Sequence, residues 1–220
     1  MSGGSLGRPR ARALAAALGA LAVLVSPARS FAQVDFFLYR QGGMGGLRQV
    51  APATAEAAFS SSPPVNLLGG NPWQDIGTWT GRLAIRSPVY VISVSDLHVW
   101  LGLLADADAG AAFDLEAEAW IKGAGSEPVR VGHGVKRCIA GLAAGASRAR
   151  EAEVSLASVR ASFKGGTESI FLKLRTRIGT TPDDHPCAGG GSGNASAQGL
   201  RVYYGGTGQP SRLGLLIAMP

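Results

Sequence analysis

Over residues 170–178 apolar and polar side chains alternate without a break. Ile170, Leu172, Leu174, Thr176 and Ile178 take one parity, and Phe171, Lys173, Arg175 and Arg177 take the other. Successive side chains of a strand point to opposite faces, so this run predicts a β-strand with one oily face and one basic, wet face. Residues 113–121 repeat the pattern with the opposite charge. Phe113, Leu115, Ala117, Ala119 and Ile121 point one way, and Asp114, Glu116, Glu118 and Trp120 the other. If the two runs are neighbours in one sheet, the acidic and basic ladders face each other and set the register, each pair contributing roughly 0.2–1 kcal/mol. Placement in different sheets would rule that pairing out.

Further runs rich in strand formers surround these two: 34–39, 83–85, 89–95, 97–104, 129–139, 154–163, 199–204 and 213–218. Gly132 and Gly134 around His133 predict a bulge or an edge, and a change of parity near Ser158 predicts another bulge. Gly42-Gly43-Met44-Gly45-Gly46 interrupts regular structure. From there to Asn71 the chain is rich in Ala, Ser, Pro and Gly and predicts a long surface loop, with one helical turn over 54–59. Residues 180–198 predict a second long loop. The expected class is all-β.

The start of the chain belongs to a different kind of segment. Arg8, Arg10 and Arg12 precede an apolar run of 13 residues, Ala13 to Val25, followed by small residues at Ala28, Ser30 and Ala32. That run is too short for a membrane anchor, and the whole reads as a secretory signal over residues 1–32, cleaved after Ala32 or after Ser30. One domain over 33–220 is expected to follow, with no membrane span. Removing the leader takes four arginines and no acid, which lowers the formal charge from +6 to +2. Such a charge gives no reason to invoke nucleic acid. The expected location is the medium, the periplasm or the cell surface. Gly, Ala and Arg are abundant and Lys is scarce, as in proteins of GC-rich bacteria.

Two cysteines remain, Cys138 and Cys187. In an exported chain they predict one disulfide, whose loop of about 50 residues corresponds to roughly 4 kcal/mol of unfolded-state entropy. Candidate chemistry is sparse. Trp73 and Trp79 lie beside Gly and Pro, where flat rings suit the face of a sugar; the plainer reading is that they plug the end of the fold. Glu116 and Glu118 have the spacing of an acid/base pair, but two acids on an open strand face are more often a solvated surface. Asp183, Asp184 and His185 with His133 or His98 form a loose metal set; no pair of histidines has i, i+4 spacing, and a capped turn is the plainer reading. Neither a phosphate loop nor a nucleophile elbow nor a dinucleotide fingerprint occurs. No cofactor is expected.

The segments Leu97-His98-Val99-Trp100-Leu101, 159–178 with its Gly165-Gly166 turn, Gly199-Leu200-Arg201-Val202-Tyr203-Tyr204 with Pro210-Ser211-Arg212-Leu213, and Phe37-Leu38-Tyr39 carry a resemblance. The chain resembles galactose-binding-like jelly-roll modules of exported bacterial proteins, similar to the C-terminal domains of X-Pro dipeptidyl peptidases. The resemblance implies a two-layer antiparallel β-sandwich of jelly-roll type with about eight strands. It implies a non-catalytic role, binding a glycan or a protein partner, and supplies no ligand residues. The competing function is a secreted hydrolase acting on glycans through Glu116, Glu118 or the Asp183/Asp184 pair.

Overall fold

The computed structural model describes residues 30–83, 90–123, 125–163, 168–187 and 195–219. The expected leader falls outside them as far as residue 29. Ser30, Phe31 and Ala32, assigned above to its cleavage region, are already strand residues.

Fifteen strands make up the described chain. They are β1 (Ser30–Gln41), β2 (Met44–Arg48), β3 (Ala58–Ser61), β4 (Val65–Asn66), β5 (Gln74–Leu83), β6 (Tyr90–Leu103), β7 (Phe113–Lys122) and β8 (Val129–Ile139). After these come β9 (Arg150–Val154), β10 (Ala157–Ser158), β11 (Ala161–Phe163), β12 (Glu168–Ile178), β13 (Ser196–Ala197), β14 (Leu200–Tyr204) and β15 (Arg212–Met219). The only helical pieces among the described residues are single 3-10 turns at Asp106–Asp108 and Ala146–Arg148. The helical turn expected over 54–59 is absent; that segment leads into β3.

Alternation in the sequence becomes burial in the structure. Along β12 every second side chain from Glu168 to Ile178 is buried, and along β7 Phe113, Leu115, Ala117, Ala119 and Ile121 are fully enclosed. Burying one Leu, Ile or Phe stabilises by roughly 1.5–3 kcal/mol, so these two strands alone supply much of the driving force.

Thirteen strands form one continuous sheet that runs β10-β8-β7-β12-β5-β2-β1-β15-β6. From β6, β14 and then β3 extend on one edge, while β9 and β11 pair with the other. The sheet folds over into a sandwich. Trp79 of β5 meets Tyr204 of β14 edge-on with ring centroids 5.4 Å apart, although the two strands are far apart along the sheet path. At the open side Ser158 Oγ in β10, which pairs with β8, accepts the Val94 N–H of β6 at 2.9 Å and laces the two layers together. β4 and β13 form a separate two-stranded ribbon.

Two expectations are corrected. The sheet is mixed rather than antiparallel throughout, because β2 runs parallel to β5 through Gly45↔Trp79 and Gly46↔Thr80. The strand number is nearly double the expected eight, because short strands lie inside the stretches expected as loops. Gly42 and Gly43 adopt φ of +54° and +87°, the turn of a tight β1–β2 hairpin rather than a break in structure.

Cys138 and Cys187 are bonded, with Cα atoms 5.5 Å apart. The bridge ties β8 to the segment following β12.

Candidate functional site

β7 and β12 are antiparallel neighbours, and their charged ladders face each other as expected: Glu118↔Lys173, Glu116↔Arg175 and Asp114↔Arg177. On the outer face of this layer the charges pair off in three groups. Arg175 Nη2 lies 2.7 Å from Glu116 Oε2, an ion pair rather than an aligned hydrogen bond, and 3.7 Å from Glu118 Oε2. His133 Nε2 approaches Glu116 Oε1 at 3.0 Å, Arg130 donates to Glu118 at 3.1 Å, and Lys173 pairs with Asp75 at 2.9 Å. Asp114 is the anchor of the set and is completely buried. Its carboxylate accepts bonds from Arg177 Nε (3.1 Å), the Cys138 N–H (3.0 Å), and both the N–H and hydroxyl of Thr180 (3.2 Å each). A buried charge persists only when paired and hydrogen-bonded in this way.

Glu116, Glu118 and His133 each place one ligand atom within 4.8 Å of the others, as do Asp114, Cys138 and Cys187. In the second group both sulfurs are consumed by the disulfide. In the first, Arg175 and Arg130 hold the two carboxylates, and cations at that distance disfavour a metal ion. Among the described residues Asp183, Asp184 and His185 belong to no such group. They sit on an exposed turn, where the Asp184 N–H donates to the Thr181 carbonyl at 3.0 Å and the Asp184 carboxylate lies 3.8 Å from Arg177. His98 pairs with Glu151. In the turn at Asp106–Asp108, Asp106 pairs with Arg148, and Asp108 accepts the Gln198 N–H at 2.9 Å.

The two tryptophans part company. Trp79 is 0% exposed, inside the sandwich against Tyr204, so its ring offers no platform to a sugar, and of the two roles weighed for it stacking is withdrawn. The cause is β5, which carries Trp79 and Leu83 inward to the core with Ile76. Trp73 is half-buried just before β5, with the Arg177 guanidinium 4.6 Å over its ring.

A groove of about 1270 Å³ lies along the seam where β2 joins the two layers. Its described walls come from β1, β2, β5, residues 42, 49 and 50, and Ser169, and contain no Asp, Glu, His or Cys. Met44 and Val50 stand on it 74% and 75% exposed, and Arg48 lies 3.9 Å over the Tyr39 ring. A smaller groove of about 430 Å³ shares Tyr39, Arg48 and Val50 with it.

Registers arrange this outer face in three bands. The band holding Asp114, Glu116, Glu118, Lys173, Arg175 and Arg177 is internally neutralised. The next is uncharged: Trp120↔Phe171↔Thr80↔Gly46↔Tyr39. The third begins Lys122↔Ser169↔Arg82. Extending the β2–β5 register by two residues brings Arg48 beside Arg82, and a Cβ built on Gly81 would stand 2.7 Å from Leu47 Cβ, as that register requires. Among the described residues no carboxylate lies within ion-pair distance of Lys122, Arg82 or Arg48. The sequence reading missed this row. The sole hint was Gly42–Gly46, because lateral neighbours on three different strands leave no spacing in the chain.

No protein-family profile matches the chain, and no curated protein matches it in sequence. Solved structures share its fold. A CocE/NonD family hydrolase from Staphylococcus aureus superposes with a TM-score of 0.52 at 14% identity, covering 87% of this chain and 37% of that one. An aminopeptidase from a marine-sediment Thaumarchaeota archaeon does so with a TM-score of 0.54 at 10% identity, covering 84% of this chain and 37% of that one. The chain thus spans about 37% of the length of either.

Proposed function

We propose that this chain is a non-catalytic, exported β-sandwich module of jelly-roll type that binds a protein partner at the cell envelope or in the medium. One observation carries the reading: the described walls of the large groove hold apolar, amide, hydroxyl and guanidinium groups but no carboxylate, imidazole or thiol, so no general base stands beside the Ser169, Thr78, Thr80 and Tyr39 hydroxyls to activate them. General acid–base or nucleophilic catalysis needs such a base within hydrogen-bond reach of the substrate. Glu116 and Glu118, the carboxylates a glycan hydrolase would use, lie on a strand face against Arg175 and Arg130 and outside both grooves.

A fold that matches only part of each hydrolase chain agrees with a module that accompanies chemistry rather than performing it. Kinship with galactose-binding-like modules and X-Pro dipeptidyl peptidase C-terminal domains belongs to the same proposal. The disulfide agrees with an oxidising compartment. A protein partner is favoured over a glycan because Trp79 is in the core and Arg177 lies over Trp73.

The test is an assay of the purified, disulfide-bonded chain against chromogenic esters, X-Pro anilides and glycosides. Turnover at the rate of buffer alone is expected. Turnover that disappears in Glu118→Gln would replace the module with a hydrolase.

A further inference from the structure

Two arginines at corresponding positions of adjacent strands repel each other, and like charges directly opposite destabilise a sheet. Elsewhere on this face every basic side chain of β12 meets a carboxylate: Lys173 meets Asp75, Arg175 meets Glu116 and Arg177 meets Asp114. The row Lys122, Arg82, Arg48 has none among the described residues. The same sheet is therefore neutralised at one end and left basic at the other, and the basic end opens into the groove. We propose that this row is a docking site for an extended protein segment carrying two carboxylates on one side and apolar side chains beside them. The inference rests on the binding-module reading above and names the surface and the partner's chemistry.

The dimensions fit such a segment. Adjacent strands lie about 4.8 Å apart, so Lys122, Ser169, Arg82 and Arg48 span about 14 Å across four strands. About five extended residues cover that distance, with side chains two apart falling on the same face. One carboxylate sits between Arg48 and Arg82, where a guanidinium fork binds it through paired N–H donors. The second reaches Lys122. Apolar side chains of the segment find Met44 and Val50, the two most exposed apolar residues bordering the groove, at 74% and 75%. Contact with the partner removes that surface from water.

An acidic glycan matches the charge but not the apolar shoulder. Two of the three rings beside the row are already covered, Tyr39 by Arg48 at 3.9 Å and Trp120 by Arg130 at 5.7 Å, and the third, Phe171, is half-buried. Nucleic acid asks for more cations than three and gains nothing from Met44 and Val50.

The experiment selects a displayed library of random heptapeptides on the purified chain, then measures Kd for the enriched peptides by fluorescence anisotropy. Enrichment of two Asp or Glu separated by three residues, next to Leu, Ile, Val or Met, is expected. Arg48→Gln and Arg82→Gln each weaken binding at least tenfold, and Met44→Asp does likewise. Lys173→Gln, in the neutralised band, leaves Kd within twofold. Arg82→Glu recovers binding when one acid of the peptide is replaced by Lys. A thermal melt of each variant confirms folding. Failure to enrich acidic peptides overturns the proposal, as does a Kd indifferent to Arg48→Gln and Arg82→Gln. A polygalacturonate oligosaccharide that binds with the same arginine dependence and displaces the peptide overturns the choice of partner. Each of these results leaves the non-catalytic reading standing, because that one fails by turnover.

Discussion

Asp114 decides how three strands meet. Its residue type in the sequence marks it only as one outward-facing acid among three on β7, yet it is 0% exposed while Glu116 is 8% exposed and Glu118, farther along, is half-buried. The difference comes from position at the strand's end, where the chain beyond β12 folds back and Thr180 closes over the carboxylate. Cys138 holds φ of +56°, a left-handed conformation costly for a residue with a Cβ, and its N–H donates to Asp114. One carboxylate thereby fixes the backbone beside one cysteine and the segment leading to the other. Asp114→Asn removes the charge opposite Arg177 and replaces one acceptor oxygen with a donor. The expected loss is about 3–5 kcal/mol, the range for breaking a buried pair by removing one partner. It is read as a lower urea midpoint at unchanged slope, with the disulfide intact in both proteins.

At the level of elements, β2 has the weakest sequence signature and the largest consequence. It carries two glycines in five residues, and both are required. A Cβ on Gly45 would lie 2.6 Å from the Thr78 carbonyl, and one on Gly46 would run into the Tyr39 ring. β5 answers with Gly81, whose Cβ would lie 2.7 Å from the Leu47 carbonyl oxygen. Backbone oxygen cannot step aside as a flexible side chain can. Gly81→Ala is therefore expected to cost about 1–3 kcal/mol, the range for overpacking. In the same variant the acidic peptide loses affinity, because Arg48 and Arg82 move apart; a urea melt and the anisotropy titration read the two effects. This also explains which parts of the fold were legible. β7 and β12 could be read because each presents one face to the core and one to water, so side chains record both faces, and opposite charges record their pairing. β2 could not, because close backbone approach is bought with glycine, which leaves no pattern. The strand that carries Trp79 went unread for a related reason: the β5–β12 register shifts at Leu174/Arg175, so Ile76 and Trp79, three apart, both face inward and the period-two signal disappears. The row of Lys122, Arg82 and Arg48 depends on the order of strands, which local sequence does not encode.

For the whole molecule, the two ends of the described chain are its central seam. β1 pairs with β15 through eight residues, from Ser30↔Met219 to Phe37↔Arg212, and with β2 through five, Phe37 to Gln41, sharing Phe37 between the two. β15 in turn lies against β6. The first strand thus bridges the last strand to the seam that holds the groove, and Phe36 and Leu38 on it are fully buried. Most pairings join residues far apart in the chain, so folding waits on closure of long loops and is expected on the millisecond-to-second scale. Terminal residues usually tolerate trimming because little depends on them; here that tolerance ends abruptly. A chain beginning at Ser30 keeps every described contact and should melt as a single cooperative unit. A chain beginning at Tyr39 loses Phe36 and Leu38, each contributing about 1.5–3 kcal/mol, and exposes the edge of β15 along eight residues. Against a total stability of about 5–15 kcal/mol, the lost side chains together with the lost ladder leave no margin. The shorter chain should lack near-UV circular dichroism and aggregate through β15, whereas the longer one should elute as a sharp, folded species. A folded, monomeric product starting at Tyr39 would mean that β15 and β6 hold the second layer without β1, and that the groove, not the sandwich, is what β1 and β2 exist to build.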